Sequence, residues 1–164
     1  VDELTWLHSE CRPTINRTDD GGLYPSCDTE IYICHVKCIE RGNQTKMGTY
    51  ILDDNYRRYW CGYVGVPKSS KYYEQEYMEP TAELHDLEGY THGGITYTGH
   101  LNNWGDKYWF IGFDCSHIHD INMYKDTNLP SQEELSFRTR GYAIKVVQDM
   151  LEQTTTISKT GKEA

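Results

Sequence analysis

Tyr108-Trp109-Phe110-Ile111-Gly112-Phe113 is an unbroken apolar run that stops abruptly in the polar series Asp114-Cys115-Ser116-His117-Ile118-His119-Asp120. A short run rich in aromatic and branched residues suits a strand buried on both faces. His92-Gly93-Gly94-Ile95-Thr96-Tyr97 has the same character, with a ligand-type residue at one end and β-formers behind it. Two such stretches commit the chain to a sheet, and we expect them to be neighbouring strands.

Further strands are expected around them. Ile31 to Ile39 alternates and is closed by Arg41-Gly42-Asn43, and Thr49 to Leu52 reads as a short strand after that turn. Tyr59 to Val66 is almost continuously apolar and is stopped by Pro67, which predicts a central strand. Residues 1–30 lack clear periodicity and carry turn chemistry at Asp19-Asp20-Gly21-Gly22 and Tyr24-Pro25-Ser26. They are expected to be irregular, with a short helix over Leu4 to Glu10. Lys71 to Tyr77 is expected as a helical turn, and Glu79 to Glu88 as an acidic loop.

Ser131-Gln132-Glu133-Glu134 is a capping-box pattern, and Leu135, Tyr142, Ala143, Val146, Val147, Met150 and Leu151 follow at three- and four-residue steps. A helix over 131–153 is therefore predicted, interrupted by Gly141 at about 1 kcal/mol relative to Ala, with 154–164 frayed. With 164 residues the chain suits one domain. The expected fold is α+β: a mixed or antiparallel sheet within residues 31–120, packed against the C-terminal helix.

Charge narrows the function. The 25 acidic against 16 basic side chains give a net charge of -9, a field that repels phosphate backbones and argues against direct nucleic-acid binding. No apolar run approaches the roughly 20 residues that span a bilayer. The 14 tyrosines against 3 phenylalanines are expected to sit half-exposed, because each hydroxyl needs water or a partner. Six cysteines match no compact disulfide framework, so reduced thiols in a cytosolic setting are expected. The sequons at Asn16 and Asn43 read as chance matches.

The stretch from His92 to Asp120 also carries the candidate chemistry. His92, Asp114, Cys115, His117 and Asp120 are the expected metal ligands, and zinc is the expected ion because cysteine sulfur and histidine nitrogen suit it. In an extended strand Cys115, His117 and His119 would share one face, with His92 supplying a ligand from the preceding strand and Cys61 a further candidate. A competing set, His92, Asp114, His117 and Asp120, would suit metal-assisted hydrolysis with Glu88 or His119 as general base. A third arrangement makes Cys115 a nucleophile with His92 or His117 as its base. Ordinary sheet core is the plain alternative for all of them, and core packing is the expected role of the Cys34-His35-Cys38 group.

Tyr63-Val64-Gly65-Val66-Pro67, His92-Gly93-Gly94-Ile95-Thr96-Tyr97, Trp109 to His117 and Asp120 together resemble a group of small phage and prophage proteins. Its members carry His-Gly-Gly-Leu-Thr-Tyr followed by Gly-Phe-Asp-Cys-Ala-His-x-x-Asp. The resemblance covers about residues 60–120. This chain departs from the pattern at Ser69-Ser70-Lys71, where Gly-His-Pro is often found, and at His119, where glycine is frequent. The resemblance implies a phage-encoded accessory protein acting in the host cytoplasm. With the acidic charge and the many tyrosines, it leads to the expectation of a zinc-containing, anti-CRISPR-like inhibitor that binds a host defence protein, possesses no activity of its own and engages neither nucleic acid nor membrane. A metal-dependent hydrolase and a metal-free structural or interaction protein are the alternatives.

Overall fold

The structure, a computed structural model, describes residues 3–41, 57–79, 81–116 and 139–163. Five strands, β1 (Glu3–Arg17), β2 (Leu23–Arg41), β3 (Arg57–Pro67), β4 (Tyr97–Gly99) and β5 (Tyr108–Asp114), form one antiparallel sheet in the order β1-β2-β3-β5-β4. A short helix α1 (Ala82–Glu88), a 3-10 turn (Asn102–Trp104) and a long helix α2 (Arg140–Glu163) complete the described elements. The fold is α+β, as the sequence led us to expect, with β3 at the centre of the sheet.

The N-terminal region differs from the expectation. Residues 3–17 and 23–30 are strand, not loop with a short helix. Around Asp19-Asp20-Gly21-Gly22 the chain makes a tight reversal, in which Gly21 takes φ 86° and Thr18 exchanges backbone hydrogen bonds with Gly21 and Gly22 at 3.0 and 2.8 Å. Only the turn was visible as such. The flanking strands are too polar to announce a buried face, because most of their length has no core to cover.

Three further elements depart from the sequence reading. His92 to Gly94 forms bends, since Gly93 and Gly94 both adopt positive φ (73° and 99°), and the strand is confined to Tyr97–Gly99. Within the stretch read as an acidic loop lies α1, capped by the Thr81 hydroxyl, which accepts the Leu84 N–H, and anchored by buried Leu84 and Leu87. The C-terminal helix continues past 153 to Glu163. Thr154 and Thr155 are buried there, and each hydroxyl donates to the Leu151 carbonyl, at 2.8 and 3.0 Å, so neither polar group is left unmet. The expected helix start at Ser131 and the strand at Thr49 to Leu52 lie outside the described residues.

Helix α2 packs on β2 and β3, and its Ala143, Val147 and Met150 are fully buried. Alternation sets Cys34, Val36, Val64, Ile111 and Phe113 on the helix-covered side, where Val147 reaches the backbone at Gly62. Each fully buried apolar side chain of this core contributes roughly 1.5–3 kcal/mol relative to an exposed one. Across the sheet lie His35, Lys37, Cys61, Tyr63, Tyr97 and Asp114. Several tyrosines are partly buried with their polar ends met, as Tyr97 is by donating to the His100 carbonyl at 3.0 Å.

Candidate functional site

Strand β3 meets β2 only from Ile33, opposite Gly65, onward. From His8↔Tyr32 to Arg17↔Leu23, ten residue pairs join β1 to β2 alone, so among the described residues this part is a two-stranded ribbon without a third strand. At about 3.3 Å per residue it projects about 30 Å beyond the sheet.

The ribbon is two-sided. Directly opposed residues share a face, so Leu7, Pro13, Ile15, Leu23, Pro25 and Ile31 lie on one side, together with the disulfide-linked Cys11 and Cys27 and the polar Ser9, Arg17 and Thr29. None of that face is covered: Ile15 is 75 %, Leu23 63 % and Leu7 59 % exposed. The Cys11–Cys27 bond replaces the expectation of reduced thiols for this pair; Cys34, Cys38, Cys61 and Cys115 are not in disulfides.

The other side is polar and internally paired. Glu10 and Glu30 stand opposite each other, a repulsive placement that Arg12 offsets at 3.2 Å from Glu30, while His8 Nε2 hydrogen-bonds Glu10 at 2.7 Å. Tyr32, beside them, has its hydroxyl pushed up to about 12 by burial and by the Glu30 charge. The polar and paired side chains thus lie on one face, while apolar surface is left open on the other.

Pro13 and Pro25 sit on opposite strands, in pairs two steps apart along the ladder, and so in the same class of pair. Both can turn their missing N–H outward, one on each ribbon edge, which interrupts both edges against strand addition.

Each described member of the expected metal set has its own surroundings. His92 packs against α2, with its Nδ1 2.8 Å from the Tyr142 hydroxyl and the two rings edge to face. Cys115 follows the last residue of β5, is fully buried, and its N–H donates to the Trp60 carbonyl. Asp114 lies instead in the row of Cys61 and Lys37, and its carboxylate accepts the Ser116 N–H at 3.0 Å. His117, His119 and Asp120 lie outside the described residues; among the described ones no three His, Cys, Asp or Glu side chains group to hold a metal.

The remaining candidates carry little chemistry. Full burial closes Cys115 to a substrate, and burial raises the Cys34 and Cys61 thiols to about 12, which keeps them protonated at neutral pH. Glu88 closes α1 with His85 Nδ1 3.8 Å away. Cys34, His35 and Cys38 alternate between the faces, with Cys34 in the core. Sequence reading missed a cross-strand cluster in which the Thr5 hydroxyl meets His35 Nδ1 at 2.7 Å and Glu3 lies 3.4 Å from His35 Nε2.

The fold and the open ribbon define an α+β domain with a projecting two-stranded arm. No protein-family model, no curated protein and no solved structure matches the chain. No helix among the described residues is long and apolar enough to cross a membrane.

Proposed function

We propose that the chain is an accessory module that binds another protein through the apolar face of its ribbon, without chemistry of its own. The observation that carries this reading is the uncovered row Leu7, Ile15, Leu23 and Ile31 on an arm that no described element packs against. Large apolar side chains gathered on one open face mark a protein contact more often than a solvent face. The interrupted edges favour side-chain packing over strand addition, and the net charge of -9 favours an apolar groove with a basic rim. The resemblance to phage proteins supports a host defence protein as that partner, bound in the manner of an anti-CRISPR inhibitor.

Zinc keeps a structural place in this proposal. His92 with Nδ1–H donated to Tyr142 would present Nε2, and Cys115 and His117 would complete a set that ties the His92 turn to the segment after β5.

The test is protection of a phage or plasmid against a panel of nuclease-based defences, in cells whose cytoplasm permits disulfides, with the parent protein and with Ile15→Asp and Leu23→Asp. Protection by the parent and its loss in both variants is the expected result. No protection by the parent, or undiminished protection by the variants, contradicts the proposal.

A further inference from the structure

We infer that the Cys11–Cys27 bond is a redox latch: the apolar face of the ribbon is assembled in the disulfide form and dismantled when the bond is reduced. This rests on the binding role given to that face and adds its regulation.

Position is what makes the bond decisive. It joins residues 16 apart in sequence and encloses the outer ribbon, which has no third strand and no core beneath it. A hairpin of two strands is marginal in water by itself. The ion pairs of His8, Glu10, Arg12 and Glu30 tie the ribbon at or before the bond, and beyond it only the turn around Thr18 to Gly22 adds side-chain hydrogen bonds. Cys11 and Cys27 also occupy the apolar face itself, between Leu7 and Ile31 at the root and Ile15 and Leu23 toward the tip. Opening the bond therefore frees the outer strands and breaks that face in the middle.

Both cysteines are exposed, whereas Cys34, Cys61 and Cys115 are buried. A dithiol reductant reaches the ribbon bond without disturbing the core thiols. One reductant thiolate attacks a bond sulfur and forms a mixed disulfide; its second thiolate resolves it. With two protons taken up, Cys11 and Cys27 leave as thiols and the reductant as a disulfide, a two-electron exchange. A reducing cytoplasm would thus hold the ribbon open, and oxidation would assemble it.

Amide hydrogen exchange on the full chain tests this without a partner. It is compared for the air-oxidised protein, the same protein reduced by a phosphine, and Cys11→Ser/Cys27→Ser. Exchange across 11–27 is expected to rise about ten-fold or more in the last two, while 33–36 and 108–113 stay unchanged. Equal ribbon exchange in all three overturns the latch, as does an equal rise in the core strands. Six reactive thiols in the unfolded, air-oxidised protein would also overturn it. Loss of phage protection in Ile15→Asp tests the binding surface alone, so the two readings fail separately.

Discussion

The ring edge of Phe113 stands 2.5 Å from where a Cβ on its cross-strand partner Gly62 would be, and Val147 of α2 closes the same point at 2.6 Å. Phe110 fills the space over Gly65 in the same way, and Tyr63 the space over Gly112. Gly62→Ala forces a methyl between two packed side chains and is expected to destabilise the fold by about 1–3 kcal/mol. Gly141→Ala, whose nearest neighbour is the Thr139 hydroxyl at 3.9 Å, is expected to be neutral or to stabilise by up to about 1 kcal/mol. Urea unfolding of both variants checks the contrast, and similar losses in the two would refute it.

The ribbon face should be energetically idle in the free protein. Ile15→Ser and Leu23→Ser remove side chains that are 75 % and 63 % exposed, so stability should change by no more than about 0.5 kcal/mol. A loss above about 1.5 kcal/mol in thermal or urea unfolding would show that the face is covered after all.

His35 gives the fold a pH dependence with a defined sign. Burial lowers its pKa from the ordinary 6.5, against the opposing pull of Glu3, with Lys37 adding to the lowering. The unfolded chain therefore binds more protons than the native one, so this stabilisation is present above pH 6.5 and is lost as pH falls through the lowered native value. His35→Gln should flatten the rise in stability between pH 5 and 7 relative to the parent, read by urea unfolding at several pH values. An unchanged slope, or an imidazole NMR titration midpoint above 6.5, would contradict it.

The proposed zinc has a direct test. Elemental analysis of protein purified without an affinity metal should give about one zinc per chain, as one tetrahedral site requires. Cys115→Ser and His92→Ala should abolish it, and Asp114→Asn should leave it, because Asp114 faces the other side of the sheet. Absence of zinc from the parent would remove the metal from the proposal without touching the ribbon.

Legibility in the sequence followed burial. Tyr59 to Val66 and Tyr108 to Phe113 announce themselves because both their faces are covered, and the spacing of Ala143, Val147 and Met150 reports the helix stripe. Residues 3–17 gave no such signal, since strands with one polar and one exposed face need no regular apolar pattern. A hairpin reading was available from Asp19-Asp20-Gly21-Gly22 with Leu7, Ile15, Leu23 and Ile31 at even spacings around it, but the intervening prolines and charges masked it. In the same way Gly93 and Gly94, expected within a strand, instead bend the chain through positive φ, which no strand pattern could foretell.

The most direct test of the binding face is site-specific photocrosslinking in bacterial cells that carry a nuclease-based defence and whose cytoplasm permits disulfides. A benzophenone side chain is placed at position 15, at 23, or at 28 on the polar face opposite Arg12. Discrete adducts with one and the same protein from 15 and 23, and none from 28, are the expected result. No adduct at 15 and 23, or adducts of equal yield from all three positions, would contradict a partner docked on the apolar ribbon, and adducts only with a second copy of the chain would replace it with self-association.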